Sequence, residues 1–343
     1  LERYDKIEIS PIRPVITRVE RYGCPCPGCG KLQIGMVPES LRPGSPFGPR
    51  LSALVTTLRY THAISYRRLE HLLSDVFGLK ISQGGIANLL KRVKTQLQPT
   101  QEEILGLIRQ ASTLGSDETS ARVSGHTQWE WVFQNGQVCL HVIRPSRGAD
   151  VIAEVLGDHC PETWVSDLFS AQLKNPAAQF QVCLAHQLRD CQYAIDAGDD
   201  EFAPKMKRLM LRAIAIDKRW DTLAEATQAQ YQSRLQRDLR DLLELPLIHP
   251  EGIKLQTRYR KRPESLFLFV GETTIPPTNN ASEQALRWSV IFRKVTNGFR
   301  SEWGRDLFAD IRSIFNTGAR QGLPPFQSLL SALDPAQSLF PLG

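Results

Sequence analysis

Three carboxylates stand where they could hold divalent cations: Asp117 in GSDETS, Asp167 in WVSDLFSAQ and Glu283 in PPTNNASEQALRW. The first two follow short runs of strand-like composition, and the third opens a helical pattern. A phosphodiester resists attack because its charge repels a nucleophile and its leaving group is poor. Two Mg²⁺ or Mn²⁺ ions about 3.5–4 Å apart answer both difficulties, one lowering the pKa of the attacking hydroxyl, the other stabilising the departing oxygen. Such hard cations take oxygen ligands, so Asp and Glu are the residue types required. Asp117, Asp167 and Glu283 are therefore read as catalytic residues and as metal ligands.

At 100° per residue, Arg287 lies 40° round the helix from Glu283 and Lys294 only 20° away. One face thus carries a metal ligand and two cations suited to DNA phosphates, whereas Arg293 falls off it. The competing reading of Glu283 and Arg287 is an ordinary i,i+4 surface pair. Glu118 would point away from Asp117 if the strand continued, and it is left out of the metal set. Cys183 and His186 have C-x2-H spacing with no second pair nearby. His186 is a DNA contact or a neighbour of the metal ligands, a satisfied core histidine, or a zinc ligand. A tight cysteine trio, Cys24, Cys26 and Cys29 in YGCPCPGCGK, is a better zinc signal. Cys26-x2-Cys29 makes a knuckle whose backbone N–H groups can reach the thiolates, but a four-coordinate site needs more ligands than this loop presents.

Elements must bring these groups together. Residues 1–50 are rich in Pro and Gly and read as a cysteine-containing segment and linker. Residues 51–111 read as three helices, with Gly78 ending the second and Ser82 capping a long third one that continues to 111. Lys91, Arg92 and Lys94 on that third helix suggest a helix-turn-helix DNA-binding unit, with a plain helical bundle left open. From 112 to 330 the pattern is α/β: strand-like runs at STLGSDETS, WEWVFQ, VCLHVI, TWVSD and FQVCLAH, a hairpin turn at Asn135-Gly136, and a helix at 148–156. Asp117 is placed where the first strand ends, and Asp167 where TWVSD ends. Residues 187–247 are almost continuously helical, with breaks expected at Gly198 and Pro204, and two helices follow at 281–296 and 303–320. Residues 331–343 form a C-terminal tail, whose DPAQSLFPLG stretch is read as poorly ordered.

The 343 residues suit two or three domains, and 41% hydrophobic with 23% charged residues suits a soluble protein with a sizeable core. No run is apolar enough for a membrane span, and the first residues lack a signal-peptide stretch. A cytoplasmic, nucleoid-associated protein is expected. Seven cysteines, an odd number, do not form a secreted disulfide framework. The net charge of +6 is concentrated: residues 204–262 hold fourteen Lys or Arg against seven Asp or Glu, leaving the rest near neutral. Clustered positive charge reads as a phosphate-facing surface or as a solvated helical face. Within it, the loop QTRYRKRPE, with Lys254 just before it, surrounds Tyr259 with Arg258, Arg260, Lys261 and Arg262, and these five cations are the foremost DNA-backbone candidates outside the triad.

DET at 117–119, CLAH at 183–186 and PPTNNASEQALR at 276–287 resemble signatures of the IS66 family of insertion-sequence transposases. YRRLEHLL followed by ISQGGIANLLKRV resembles its helical N-terminal region, so the likeness covers roughly residues 20–335. It implies a ribonuclease H-like catalytic domain with a helical insertion at about 187–270, before the last acidic residue. It also implies an Asp, Asp, Glu triad using Mg²⁺ to cleave and join DNA strands, roles that fall on Asp117, Asp167 and Glu283. Leu168 and Phe169 depart from the glycine and tyrosine common in the family. The family often carries a two-pair zinc module; the cysteine trio resembles its second half, whose first pair would lie upstream of Leu1. The partners implied are transposon ends and target DNA, bound by a homodimer that pairs two ends. A nuclease of the same fold that cuts without joining, and a catalytically inactive DNA-binding derivative, are the alternatives.

Overall fold

The computed structural model describes residues 2–38, 41–174 and 176–334. Contacts divide the chain into two compact units, one formed by 1–97 with 329–343 and the other by 98–328. Among the described residues no helix is long and apolar enough to cross a membrane.

The first unit holds a short antiparallel hairpin, β1 (Gly23–Pro25) and β2 (Leu32–Ile34), and three helices, α1 (Pro49–Tyr60), α2 (Tyr66–Phe77) and α3 (Gln83–Gln96). The start and stop signals act as anticipated. Gly78 ends α2 at φ 66°, and the Ser82 hydroxyl accepts the Gly85 N–H at the head of α3. Leu69 and Leu73 of α2 and Ile86, Leu90 and Val93 of α3 are fully buried, so the helices are held by their apolar faces.

The long third helix expected to continue to 111 is two helices. Leu97 caps α3, and α4 (Gln98–Ile108) begins with Pro99 in its first turn. Proline has no N–H for a helical bond to the preceding turn, so a new helix starts where its missing donor costs nothing. Gln101 of α4 donates to the Asp310 carbonyl, so α4 belongs to the second unit, whose limit lies one helix earlier than the boundary expected at 111–112.

The second unit is built on a five-stranded sheet. β3 (Thr113–Val123), β4 (His126–Gln134) and β5 (Cys139–Arg144) form an antiparallel meander; β6 (Thr163–Ser166) and β7 (Gln179–Val182) add in parallel beside β3, after α5 (Ala149–Leu156). The order across the sheet is β5-β4-β3-β6-β7, a mixed α/β arrangement compatible with a ribonuclease H-like fold. β3 runs past the end anticipated for it, so Asp117 lies at mid-strand instead of at its terminus. Nothing between Asp117 and Val123 breaks the strand; the turn comes at Ser124-Gly125, both at positive φ, which matches the twist of a tight hairpin. The turn at Asn135-Gly136 is where it was expected, with Asn135 Oδ1 accepting two backbone N–H groups.

Between β7 and the last acidic residue run α6 (Leu184–Asp196), α7 (Phe202–Asp217), α8 (Glu225–Glu244) and α9 (Pro250–Arg260). Gly198 breaks the helices as expected, at φ 104°. Pro204 does not: it sits in the first turn of α7, where proline is tolerated, and the second break falls at 218–224 instead. These helices share one apolar cluster with Val165 of β6, including Leu184, Phe202, Met206, Met210, Leu235, Leu255 and Tyr259. Full burial of such side chains contributes about 1.5–3 kcal/mol each, against about 0–1 for an exposed ion pair such as Arg212–Asp238. Burial, not surface charge, holds this segment together. The expected QTRYRKRPE loop is largely the end of α9.

Two further helices, α10 (Asn280–Thr296) and α11 (Glu302–Arg320), pack on the sheet, α10 against β3 and β4 and α11 against β5; α12 (Pro325–Leu333) follows. The helix α12 ends at Leu333, just before the DPAQSLFPLG stretch expected to be poorly ordered, of which residues 335–343 lie outside the described residues.

Candidate active site

Asp117 projects toward α10. Alternate residues of a strand share a face, and its neighbours on that face, Gly115 and Thr119, both meet this helix. A Cβ at Gly115 would stand 3.2 Å from Asn279 Oδ1 and from Ser282 Oγ, and 2.5 Å from Gln134 Nε2, so only glycine lets the helix approach here. Thr119 Oγ1 accepts from Arg293, the residue expected to lie off the Glu283 face. Glu283 sits in the first turn of α10, between these two anchors.

The segment leading into α10 is clamped from two sides. The Leu184 N–H donates to the Pro277 carbonyl, the Asn279 N–H to Cys183 Sγ at 3.0 Å, and Asn279 Nδ2 to the Ser116 carbonyl at 2.7 Å. Asn279 occupies the N-cap position without a side-chain capping bond, its amide tying the helix to β3 instead. The PTNN residues thus dock Glu283 against the strand that carries Asp117. Asp167 follows β6, the parallel neighbour of β3, and its Oδ1 accepts the Phe169 N–H, fixing the turn.

The electrostatic stress falls on Asp117. Burial pushes Asp117 up to about 7, with Glu118, Asp167 and Glu283 adding to the rise against one stabilising bond from the Glu118 N–H. A buried carboxylate among like charges is short of positive charge. The donors are all oxygen, as Mg²⁺ or Mn²⁺ requires, so these residues fit such an ion.

Glu118 faces the other side, as the alternation required. Its carboxylate takes Arg147 and Gln172 as partners, and Arg147 in turn lies over the Trp129 and Phe169 rings at 4.4 and 4.1 Å. Sequence reasoning passed over Arg147 and Gln172, since nothing local marks a side chain whose partner is 29 or 54 residues away. Trp131 and Phe292 are core residues, as was Tyr259.

A second set of groups adjoins Glu283. The N-terminus of α6 carries Cys183 as its cap residue and His186 one turn in. His186 Nδ1 and Arg189 Nη2 each lie 3.6 Å from Glu283 Oε1. Burial raises the Cys183 thiol, but His186 and two backbone N–H groups outweigh it and hold the thiol below its ordinary value. Contact with Cys183 raises the His186 imidazole, opposed by burial and by Arg189. Cys183, His186 and Glu283 offer ligand atoms that all lie within 4.8 Å of one another.

Of the expected DNA contacts, Arg287 and Lys294 are exposed on α10. In the 254–262 segment Lys254 pairs with Glu251, Arg258 with Asp190, and Arg260 donates to the Leu243 carbonyl. Arg262 lies over the Phe180 ring, while Lys261 is exposed. Lys91 and Arg92 are exposed and Lys94 half-buried on α3. In the hairpin at the N-terminal side, the backbone at Gly28 and Cys29 donates to Cys26 and lowers its thiol pKa, the knuckle geometry anticipated for it. Cys24 and Cys29 are exposed.

A family model described as transposase IS66 family matches residues 44–306, which takes in all three acids and both clamping segments. No curated relative matches the chain. With more than half its length covered by that match, this chain belongs to the IS66 family of transposases.

Proposed function

We propose that the protein binds the ends of a transposable element and cleaves and joins DNA strands, using divalent cations held by Asp117, Asp167 and Glu283. The observation that carries this reading is the charge imbalance at Asp117, a buried carboxylate raised to about 7 among three other acids. Bound Mg²⁺ or Mn²⁺ would acidify the attacking water or 3′-hydroxyl and stabilise the departing oxygen.

The chain's own residues supply the rest. Asp117 lies on β3 and Asp167 directly follows β6, its parallel neighbour, so the sheet sets their spacing. Glu283 is positioned by the Asn279 clamp and faced by His186 and Arg189. Arg287 and Lys294, exposed on the Glu283 helix, hold backbone phosphates of the DNA being cut. The helices α6–α9 act as an insertion in the catalytic fold, and their basic residues, with Lys91, Arg92 and Lys94 of the helical N-terminal region, widen the duplex contact. Because each triad acts on one strand at a time, a two-fold pair of chains supplies one site per DNA end.

The test is strand cleavage of a terminal-repeat duplex, measured alongside gel-shift affinity. Asp117→Asn should abolish Mg²⁺-dependent cleavage and leave binding near wild type; wild-type cleavage by the variant would refute the assignment. A pre-cleaved end offered with a target plasmid separates a transposase from a nuclease that cuts without joining.

A further inference from the structure

We propose that Cys183, His186 and Glu283 form a binding site for a thiophilic divalent cation, Zn²⁺ or Fe²⁺ in class, which competes with the hard cations for Glu283. The site itself stands without the functional reading above; only the competition rests on it.

The geometry is that of a ligand set short of its ion. His186 Nδ1 and Glu283 Oε1 face each other at 3.6 Å, too far for a hydrogen bond. Both atoms are buried, and neither has a hydrogen-bond partner among the described residues. Their charged neighbours, each other and Arg189 beside Glu283, stand beyond hydrogen-bond reach, so a cation between them would supply the bonds both atoms lack. Zinc bonds of about 2.0–2.2 Å to nitrogen and oxygen at a tetrahedral angle place the donors roughly 3.3–3.6 Å apart. Cys183 Sγ completes the set within 4.8 Å, and it already accepts the Asn279 N–H, a bond that favours the thiolate.

The donors also choose the metal. Sulfur, imidazole and a single carboxylate suit borderline and soft ions, while Mg²⁺ takes oxygen and its own water. Three protein ligands leave a fourth tetrahedral position, reached from the solvent side where Arg189 is 64% exposed. Glu283 cannot serve both ion classes in one conformation. A soft ion bound here would hold its carboxylate against α6 and withhold it from the hard cations, making the chain sensitive to free zinc.

Cobalt reports such a site without any turnover. In full-length chain with Cys24, Cys26 and Cys29 changed to Ser, Co²⁺ titration should give thiolate-to-cobalt absorption saturating at one ion per chain. The band should vanish in Cys183→Ser and in His186→Asn, weaken in Glu283→Gln, and persist in Asp117→Asn. Because Cys183 is buried, His186→Asn, at a half-exposed position, separates loss of the ligand from loss of the fold. No band, or one unchanged by both Cys183→Ser and His186→Asn, would overturn the site. Zinc should then slow Mg²⁺-dependent cleavage, with Cys183→Ser needing at least tenfold more for the same fractional loss; equal sensitivity would overturn the competition.

Discussion

The hairpin at Cys24–Cys29 and the corner at Asp117, Asp167 and Glu283 are both made of metal-binding residue types, yet they are opposites in construction. The hairpin's ligands lie within six residues, two of its three thiols are exposed, and among the described residues they do not gather three donors around one point. The corner's acids are spread over 167 positions, and a sheet and a docked helix bring Asp167 and Glu283 near enough to Asp117 to raise its pKa. Burial and the neighbouring acids push Asp117 up to about 7, whereas backbone N–H groups pull the Cys26 thiol down. Closeness in sequence supplies a local knuckle; closeness in the fold supplies a buried carboxylate among like charges.

The sharpest way to break this contrast is at Asp117. Loss of one metal ligand should remove several kcal/mol of transition-state stabilisation, so Asp117→Asn should slow cleavage about a thousandfold or more, measured as single-turnover strand scission. Cys26→Ser should leave that rate within about twofold.

Stability should move in the opposite direction. An acid whose folded pKa lies above its unfolded value of about 3.9 destabilises the fold as it ionises. The cost is absent below the unfolded pKa, grows as pH rises toward 7, and is full above that. At pH 8 without divalent ions, Asp117→Asn should therefore raise stability by a few kcal/mol, at about 1.4 kcal/mol per pKa unit, with little effect at pH 4. Urea unfolding at the two pH values checks this. Equal stability at pH 8 would mean the carboxylate is not under the stress assigned to it.

Charge reversal at Arg258, Arg260 and Arg262 should weaken binding to any duplex and flatten its salt dependence by about 0.9 log unit per lost phosphate contact. Their internal partners make this a weaker expectation than for the exposed Lys261, whose single reversal should change the slope by no more than one contact. The smallest effect belongs to the hairpin: Cys24→Ser and Cys29→Ser should each alter unfolding by no more than about 0.5 kcal/mol, as at other exposed positions. A large loss would show the hairpin to be metal-bound in the purified protein.

Much of this was legible in the residues. Ser82 and Gly78 marked their helix ends, Asn135-Gly136 marked its turn, and β6 ended where Asp167 needed it, because each signal is local. The errors came where a local sign has two meanings. Pro204 suggested a break yet sits in a first turn; the 98–111 stretch kept helical periodicity across a point where Pro99 restarts the helix. The site followed the same division. Sequence context singles out the three acids as candidates, whereas Arg147, Gln172 and the role of Asn279 depend on partners 29 to 163 residues away. The pairing of His186 with Glu283 had no sequence signal beyond the C-x2-H spacing.

The most direct test is anomalous diffraction from crystals soaked in Mn²⁺. The account predicts density between Asp117 and Asp167, with Glu283 on α10 completing the ligand set. Manganese bound elsewhere, with none between those two aspartates, would contradict it.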